Sequence, residues 1–202
     1  MKREGILYII SAPSGAGKTT LCKEVIDIFP DLRHSVSYTT RPARPGEVHG
    51  RDYFFVPEGE FERMVAAGEF AEWAEVHGNL YGTALKTLDD FRRDSIDVIL
   101  DIDCQGACQL KERYTGGVFI FILPPSFDEL RRRLDFRNSD TVEVIARRIE
   151  NAAAEIREAR WYDYIIVNDV FSRAVEELKS VLIAERCRSA RVLAAVAEKF
   201  NI

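Results

Sequence analysis

The stretch Ser11-Ala-Pro-Ser-Gly-Ala-Gly-Lys-Thr-Thr20 decides the fold of this chain. It follows the apolar run Ile6-Leu-Tyr-Ile-Ile10, which is typical of a buried parallel strand, and it precedes apolar residues at helical spacing. Gly15 and Gly17 let the backbone curl so that successive N–H groups point inward, and the following helix adds a partial positive charge at its N-terminus. The stretch therefore predicts a loop that binds the phosphates of a nucleoside triphosphate. A glycine-rich turn without a ligand is the alternative.

The residues of this loop have predicted roles toward ATP. Lys18 is expected to reach the β- and γ-phosphates, and the hydroxyl group of Thr19 is expected to bind Mg²⁺. The strict consensus has glycine where this chain has Ala12, and alanine is acceptable there if φ is negative. The predicted ATP-binding residues of the loop are Ala12, Pro13, Ser14, Gly15, Ala16, Gly17, Lys18, Thr19 and Thr20.

Further β-rich runs alternate with helical patterns along the chain. Val98–Ile102, Val118–Leu123 and Tyr164–Val167 are short and apolar, and each is followed by residues at helical spacing. This alternation predicts an α/β fold of three layers (α/β/α), in which helices cover both faces of a parallel sheet. The segment from Ser172 to Ala197 is predicted to form one long amphipathic helix.

Two stretches interrupt this alternation. Between Ser35 and about Gly82, short strands are predicted at 36–40, 53–56 and 70–76 around a small helix near Phe61, which indicates an inserted subdomain. Between about Asp135 and Thr141, polar residues separate two arginine-bearing helices, a pattern that suits a mobile flap.

Composition excludes several classes of protein. With 202 residues and 47% hydrophobic content the chain is expected to form about one domain, and its apolar runs are too short to span a membrane. A formal net charge of −5 argues against a nucleic-acid-binding surface. The four cysteines are expected to be reduced, and the N-terminus does not resemble a secretory signal, so a cytoplasmic location is predicted.

The order of its motifs gives the chain a close resemblance to the guanylate kinases. Besides the phosphate loop, the motifs are Ser35-Val-Ser-Tyr-Thr-Thr-Arg-Pro42, Arg44-Pro-Gly-Glu, Gly50-Arg-Asp-Tyr-Phe54, Glu69-Phe-Ala-Glu-Trp73, Gly78-Asn-Leu-Tyr-Gly-Thr83, Leu100-Asp-Ile-Asp-Cys-Gln-Gly106, Leu123-Pro-Pro-Ser126 and Ile166-Val-Asn-Asp169. The resemblance implies a phosphate-loop kinase that transfers the γ-phosphoryl group of ATP to GMP, and to dGMP, with Mg²⁺ as cofactor. It also implies a core (1–34, 84–125 and 160–202), a GMP-binding subdomain (35–83) and a lid (about 126–159).

The resemblance assigns further site residues. Guanine presents N–H donors beside a carbonyl acceptor, so its pocket needs carboxylates and hydroxyl groups. The GMP-binding residues implied are Ser37, Glu72, Thr83 and Asp103 for the base, and Arg41, Arg44, Tyr53 and Tyr81 for the phosphate. Asp101 joins Thr19 as a metal ligand, Asn168 and Asp169 lie near the adenine of ATP, and the catalytic cations are Lys18, Arg41, Arg133, Arg137 and Arg148.

Two other functions are compatible with parts of the pattern. A binding module of the same fold, without catalytic activity, typically has a degenerate phosphate loop, whereas Gly15, Gly17, Lys18 and Thr19 are present here. A kinase of another phosphorylated sugar or nucleotide would keep the loop but lose the four base-recognition residues. Oligomeric state is not predicted.

Overall fold

Five parallel strands form the first of two sheets in the computed structural model, which describes residues 3–76, 78–114, 116–135 and 142–201. In spatial order the strands are β2 (Leu32–His34), β7 (Asp97–Asp101), β1 (Leu7–Ser11), β8 (Val118–Leu123) and β9 (Tyr164–Val167), numbered in chain order. The central strand β1 pairs with β7 on one side and β8 on the other, both in parallel. The phosphate-loop sequence therefore follows the middle of the sheet.

Helices cover both faces of this sheet because its strands are apolar on both sides. Helices α1 (Lys18–Ile28) and α7 (Phe171–Arg186) cover one face, and α3 (Leu85–Arg93), α4 (Cys104–Arg113) and the end of α6 (Val142–Glu158) cover the other. Helix α5 (Phe127–Asp135) packs with α6 in a separate cluster, and α8 (Ser189–Phe200) follows α7. Along β1, Tyr8 and Ile10 pack into one core with residues of α1 and α7. Leu7 and Ile9 point the other way, into a second core with residues of α3 and α4. The predicted α/β/α layering is confirmed.

The second sheet is built from the segment that interrupts the alternation. Its strands lie in the order β4 (Phe54–Phe55), β3 (Tyr38–Thr39), β6 (Asn79–Ala84) and β5 (Phe70–Val76), and β5 and β6 are antiparallel. Helix α2 (Glu58–Ala66) packs Phe61 and Met64 against Phe70 of this sheet. A separate small core supports this segment, as expected of a subdomain.

The structure differs from the sequence prediction at the last helix. The segment from Ser172 to Ala197 is not one helix: α7 ends at Arg186, and Arg188 is extended before α8 begins. The break turns Arg188 and Arg191 toward the carboxylate of Glu185, which is 1% exposed, at 3.0 and 3.4 Å. The apolar spacing continues through the break, so periodicity alone predicted a continuous helix.

The segments β2 and β6 were not predicted as strands. β2 has three residues, too few for a periodic pattern, and it becomes a strand by pairing with β7 at the edge of the sheet. β6 carries small and polar residues and pairs along the whole length of β5. Among the described residues, no helix combines the length and apolarity needed to cross a membrane.

Candidate active site

The loop between β1 and α1 has the backbone expected of an anion-binding turn. Gly15 and Gly17 have φ values of +94° and +93°, and residues other than glycine rarely adopt this region. Gly17 is the N-cap of α1, and no side chain of the described residues caps that helix. The N–H groups of its first turn are therefore available to an anionic ligand.

Lys18, Thr19 and Asp101 meet where β1 and β7 end. The ammonium group of Lys18 lies 2.5 Å from Oδ1 of Asp101 and donates to the carbonyl oxygen of Ile102 at 2.8 Å. The hydroxyl group of Thr19 donates to Oδ2 of Asp101 at 3.4 Å. Neighbouring parallel strands bring these groups together because their carboxyl ends share one edge of the sheet.

A cavity of about 340 Å³ extends from this cluster toward the second sheet. It joins the phosphate loop at one end to predicted GMP-binding residues at the other. Its described lining comprises Lys18, Thr19, His34, Ser37, Asp52, Tyr53, Glu72, Ala74, Val76, Tyr81, Gly82, Asp101, Ile102 and Asp103.

Two carboxylates approach each other at the far end of this cavity. Glu72, in β5, is 4% exposed, and Oγ1 of Thr83 in β6 donates to its Oε1 atom at 2.5 Å. Burial raises the pKa of Glu72 to about 7, with a further increase from Asp103 that the Thr83 hydrogen bond opposes. Thr83 is fully buried, so the structure places its hydroxyl group against Glu72.

Helix α4 brings Asp103 and the backbone of Gly106 to the same place. Asp103 is the N-cap of α4, and its Oδ1 atom accepts a hydrogen bond from the N–H of Gly106 at 2.8 Å. A Cβ atom at Gly106 would lie 2.6 Å from Oε2 of Glu72, so glycine is required for the close approach. One turn further, Gln109 exchanges two hydrogen bonds with the backbone of Trp73, at 3.2 and 2.8 Å, and thereby ties β5 to α4.

Arg41 and two tyrosines form a cationic and phenolic cluster on the second sheet. The guanidinium carbon of Arg41 lies 5.4 Å from the ring centre of Tyr53, and the rings of Tyr53 and Tyr81 are 6.0 Å apart. Hydrogen bonds to Glu47 and to Tyr81 raise the pKa of Arg41. Arg44 lies exposed on the adjoining turn, and neither Arg41 nor Arg44 is among the described residues that line the cavity.

A second cavity, of about 310 Å³, lies on the other side of the phosphate loop. Asn168, 6% exposed, donates from its amide to the carbonyl oxygen of Ala16 at 2.8 Å. Nη2 of Arg133 donates to the backbone carbonyl of Asn168 at 2.9 Å, and its Nε donates to Glu129 at 2.8 Å. The described lining is Gly15, Gly17, Thr20, Arg133, Asn168, Asp169 and Phe171.

The remaining predicted cations are not part of these cavities as described. Arg148 lies half-buried on α6 and does not belong to the described lining of either cavity. Arg137 lies outside the described residues. Helices α5 and α6, which precede and follow residue 137 in the chain, pack against each other through Leu130, Leu134 and Ala152.

Sequence reasoning missed the residues that support the predicted ligands. Gln109 and Glu47 are examples: each accepts a hydrogen bond from a backbone N–H group, of Trp73 and of Arg44, and only the folded chain shows these partners. Glu47 stands inside the quoted Arg44-Pro-Gly-Glu motif, which is the one available signal. Phe171, 39% exposed, also lines the second cavity, two residues after Asp169.

Comparisons with known proteins agree on one family. The guanylate kinase family model matches residues 4–185. The guanylate kinase of Geobacter sulfurreducens is 73% identical over 202 residues, covering all of both chains. That of Syntrophotalea carbinolica is 62% identical over 202 residues, covering 100% of this chain and 96% of the relative. The crystal structure of guanylate kinase from Anaplasma phagocytophilum has a TM-score of 0.77 at 35% identity and covers 100% of this chain and 98% of that one.

Proposed function

The chain belongs to the guanylate kinase family and transfers the terminal phosphoryl group of ATP to GMP, and we propose that this transfer takes place in the cleft between its two sheets. One observation carries the assignment of the site. A single cavity has the phosphate-loop cluster of Lys18, Thr19 and Asp101 at one end and the buried Glu72 beside Asp103 at the other. A donor and an acceptor nucleotide can therefore meet within it.

The donor is proposed to bind along the phosphate loop. The N–H groups of Gly15 and Gly17 in the curled loop, and those of the first turn of α1 with Thr20, are proposed to bind the phosphates, and Lys18 adds a positive charge. The rest of ATP extends into the second cavity, where Asn168 and Asp169 lie. Arg133 borders the same cavity and is close enough to the loop to contact the triphosphate.

The family needs a divalent metal, and the residues present suit Mg²⁺. Thr19 and Asp101 supply hard oxygen donors 3.4 Å apart at the end of the phosphate loop. Mg²⁺ typically takes one or two protein oxygens and completes its shell with substrate phosphates and water. The described residues contain no group of three or more acidic, histidine or cysteine side chains that could hold a metal alone. When bound, Mg²⁺ supplies charge neutralisation on the transferring phosphates.

Guanine is proposed to bind at the far end of the cavity. Ionised Glu72 and Asp103 would accept hydrogen bonds from the N1–H and N2–H₂ groups of the base, donors that adenine lacks at the corresponding edge. Thr83 orients Glu72 by donating to one carboxylate oxygen, which leaves the other oxygen toward Gly106 and the ligand. Ser37 lines the same cavity and offers a hydroxyl group to the base.

The phosphate of GMP is proposed to bind Arg41, Arg44, Tyr53 and Tyr81. Guanidinium groups bind phosphate oxygens through two parallel hydrogen bonds, and phenol groups add single donors. Tyr53 and Tyr81 line the same cavity as Glu72 and Lys18, so a phosphate held there would lie in the cavity that also contains the phosphate-loop cluster.

Catalysis then consists of alignment and charge neutralisation. The accepting phosphate has a second pKa of about 6, so an oxygen is already ionised at neutral pH and no general base is needed. Lys18, Arg41 and Arg133 are proposed to offset charge on a loose, in-line transition state. Arg137 and Arg148 are proposed to join them when the segment at about 126–159 closes as a lid and excludes water.

The metabolic role, the cellular location and an alternative acceptor are proposed from these substrates. We place the protein in purine nucleotide metabolism in the cytoplasm, where ATP and GMP are found, and expect dGMP to serve as an alternative acceptor. A binding module without catalytic activity is not favoured, because Lys18 and Asp101 are arranged for phosphoryl transfer. A different phosphorylated acceptor is not favoured, because Glu72 and Asp103 suit guanine.

The Lys18→Ala variant tests whether the phosphate loop performs the transfer. We expect kcat to fall at least about hundredfold, since a cation that stabilises transition-state charge is removed. GMP binding, measured by calorimetry, should stay within about threefold because the base site is untouched. Wild-type turnover in this variant would contradict the proposed site, and loss of GMP binding together with turnover would indicate unfolding.

A further inference from the structure

The turn that follows Arg41 is tied back onto that arginine by one acidic side chain, Glu47. Its Oε1 atom accepts a hydrogen bond from Nη2 of Arg41 at 2.9 Å, and its Oε2 atom accepts one from the backbone N–H of Arg44 at 2.7 Å. The backbone N–H of Glu47 donates in return to the carbonyl oxygen of Arg44 at 3.0 Å. One carboxylate therefore fixes both the guanidinium group of Arg41 and the turn that carries Arg44.

The guanidinium group of Arg41 is held on its other sides as well. Nη1 donates to the carbonyl oxygen of Pro42 at 2.7 Å. Its central carbon lies 5.4 Å from the ring centre of Tyr53 and 5.8 Å from that of Phe55. The side chain is 12% exposed although it is charged, so its position is set by these neighbours. Among these groups, Glu47 is the one that carries an opposite charge.

On the basis of the proposed function, we propose that Glu47 is a positioning residue for GMP binding. Glu47 holds Arg41 and the turn that carries Arg44 in place for the phosphate group. A free arginine side chain has several rotatable bonds, and ordering it when the ligand binds weakens the affinity. An arginine that is already ordered binds phosphate without that loss. Glu47 acts through Arg41 and Arg44 and is not itself a phosphate ligand.

Glu47 also carries a negative charge close to the expected phosphate, which opposes binding. Both of its carboxylate oxygens accept hydrogen bonds from N–H groups, and the partner of one is a full positive charge, so the charge is largely compensated within the protein. Positioning should therefore outweigh repulsion. Positioning strengthens GMP binding and repulsion weakens it, so the direction in which the affinity changes when Glu47 is removed shows which effect is larger.

The test compares GMP with guanosine, because the two ligands share the base and differ at the phosphate. Dissociation constants for both are measured by calorimetry on the wild type, Glu47→Ala, Glu47→Gln and the control Glu69→Gln. Glu69 is an exposed carboxylate of the same subdomain that pairs with Arg63 at 3.8 Å and belongs to neither cavity's described lining. KM for GMP and kcat are measured in parallel.

Glu47→Ala should weaken GMP binding by roughly tenfold, the order expected when a long charged side chain must be ordered on binding. The dissociation constant of Glu47→Ala for guanosine should stay within about twofold of the wild-type value. For GMP, the dissociation constant of Glu47→Gln should lie between those of Glu47→Ala and the wild type, and that of Glu69→Gln should match the wild type. KM for GMP should rise more than kcat falls.

Two results would overturn the inference. Equal weakening of GMP and guanosine would mean that Glu47 merely stabilises the subdomain. Unchanged or tighter GMP binding by Glu47→Ala would mean that Glu47 does not prepare the phosphate site, or that its charge dominates. Failure of the wild type to bind GMP more tightly than guanosine would instead contradict the proposed function, so the two failures are distinguishable.

Discussion

At the scale of single residues, the environment of Glu72 sets the chemistry of base recognition. A carboxyl group that is 4% exposed loses most of its hydration, and the neighbouring Asp103 adds repulsion, so the pKa of Glu72 rises to about 7. Recognition of guanine N–H donors requires the ionised form. The protein therefore holds its principal base ligand near the midpoint of its titration at physiological pH.

We predict that GMP binding strengthens with pH because of this shift. Below a pKa of about 7 the free protein carries protonated Glu72 and must lose that proton to bind guanine, so affinity falls as pH decreases. Between pH 8 and pH 6 the dissociation constant should rise about tenfold, in proportion to the protonated fraction. Calorimetric titrations across this range measure it.

The Glu72→Gln variant provides the control for that titration, because the phosphate of GMP itself titrates at about pH 6. The variant should bind GMP weakly and show only the smaller pH dependence of the ligand. A wild-type curve that superimposes on that of Glu72→Gln, after scaling, would contradict the assignment of the pH effect to Glu72.

At the scale of elements, helix α4 positions the base site and the end of β9 supports the phosphate loop. The N-terminus of α4 presents Asp103 and allows Glu72 to approach at Gly106. Directly after β9, Asn168 donates to the carbonyl oxygen of Ala16 and accepts from Arg133 on α5. Both elements thus hold proposed ligand-binding residues in place through hydrogen bonds within the protein.

Gly106→Ala should impair guanine recognition specifically. The added Cβ atom would lie 2.6 Å from Oε2 of Glu72, so the carboxylate must move. We expect KM for GMP to rise about tenfold, with KM for ATP changed less than about twofold. Gly59→Ala is the matched control, because a Cβ atom there, on α2, meets nothing within 4 Å. Equal effects of the two substitutions, or an unchanged KM for GMP, would contradict this account of α4.

Asn168→Ala should weaken the binding of every ligand with a triphosphate by a similar factor. The variant removes the hydrogen bond that holds the carbonyl group of Ala16, and the loop conformation is common to all such ligands. We expect KM for ATP and the inhibition constant of inorganic tripolyphosphate each to rise about tenfold. A loss confined to ATP would show instead that Asn168 contacts adenine.

At the scale of the whole molecule, the function depends on two sheets that meet across one cleft. The parallel sheet supplies Lys18 and Asp101 at its carboxyl edge, and the second sheet supplies Glu72 and Tyr81. The hydrogen bonds between Gln109 and Trp73 join the two parts close to the base site. The parallel sheet can thus bind the donor and the second sheet the acceptor, on either side of a shared boundary.

Sequence patterns predicted most of this architecture and the family to which the chain belongs. The apolar strands and the glycine loop have strong local signals, because burial on both faces and positive φ values restrict the residues that fit. The strand β2 has no such signal, since it depends on pairing with β7, which is distant in sequence. The contacts of Gln109 with Trp73 and of Asn168 with Ala16 are missed for the same reason. The break at Arg188 and the contacts of Glu47 involve neighbours in the chain, but they depend on side-chain geometry that no periodic pattern encodes.

The most direct measurement of the central claim is a coupled assay of ADP release with ATP and Mg²⁺, run in parallel with GMP, AMP, CMP and UMP. The arrangement of Glu72 and Asp103 at one end of the cavity and Lys18 at the other predicts phosphorylation of GMP, and of dGMP, with the other three acceptors at least about hundredfold poorer in kcat/KM. Comparable turnover of AMP, CMP or UMP, or ADP release that does not depend on GMP, would contradict the assignment of the guanine site.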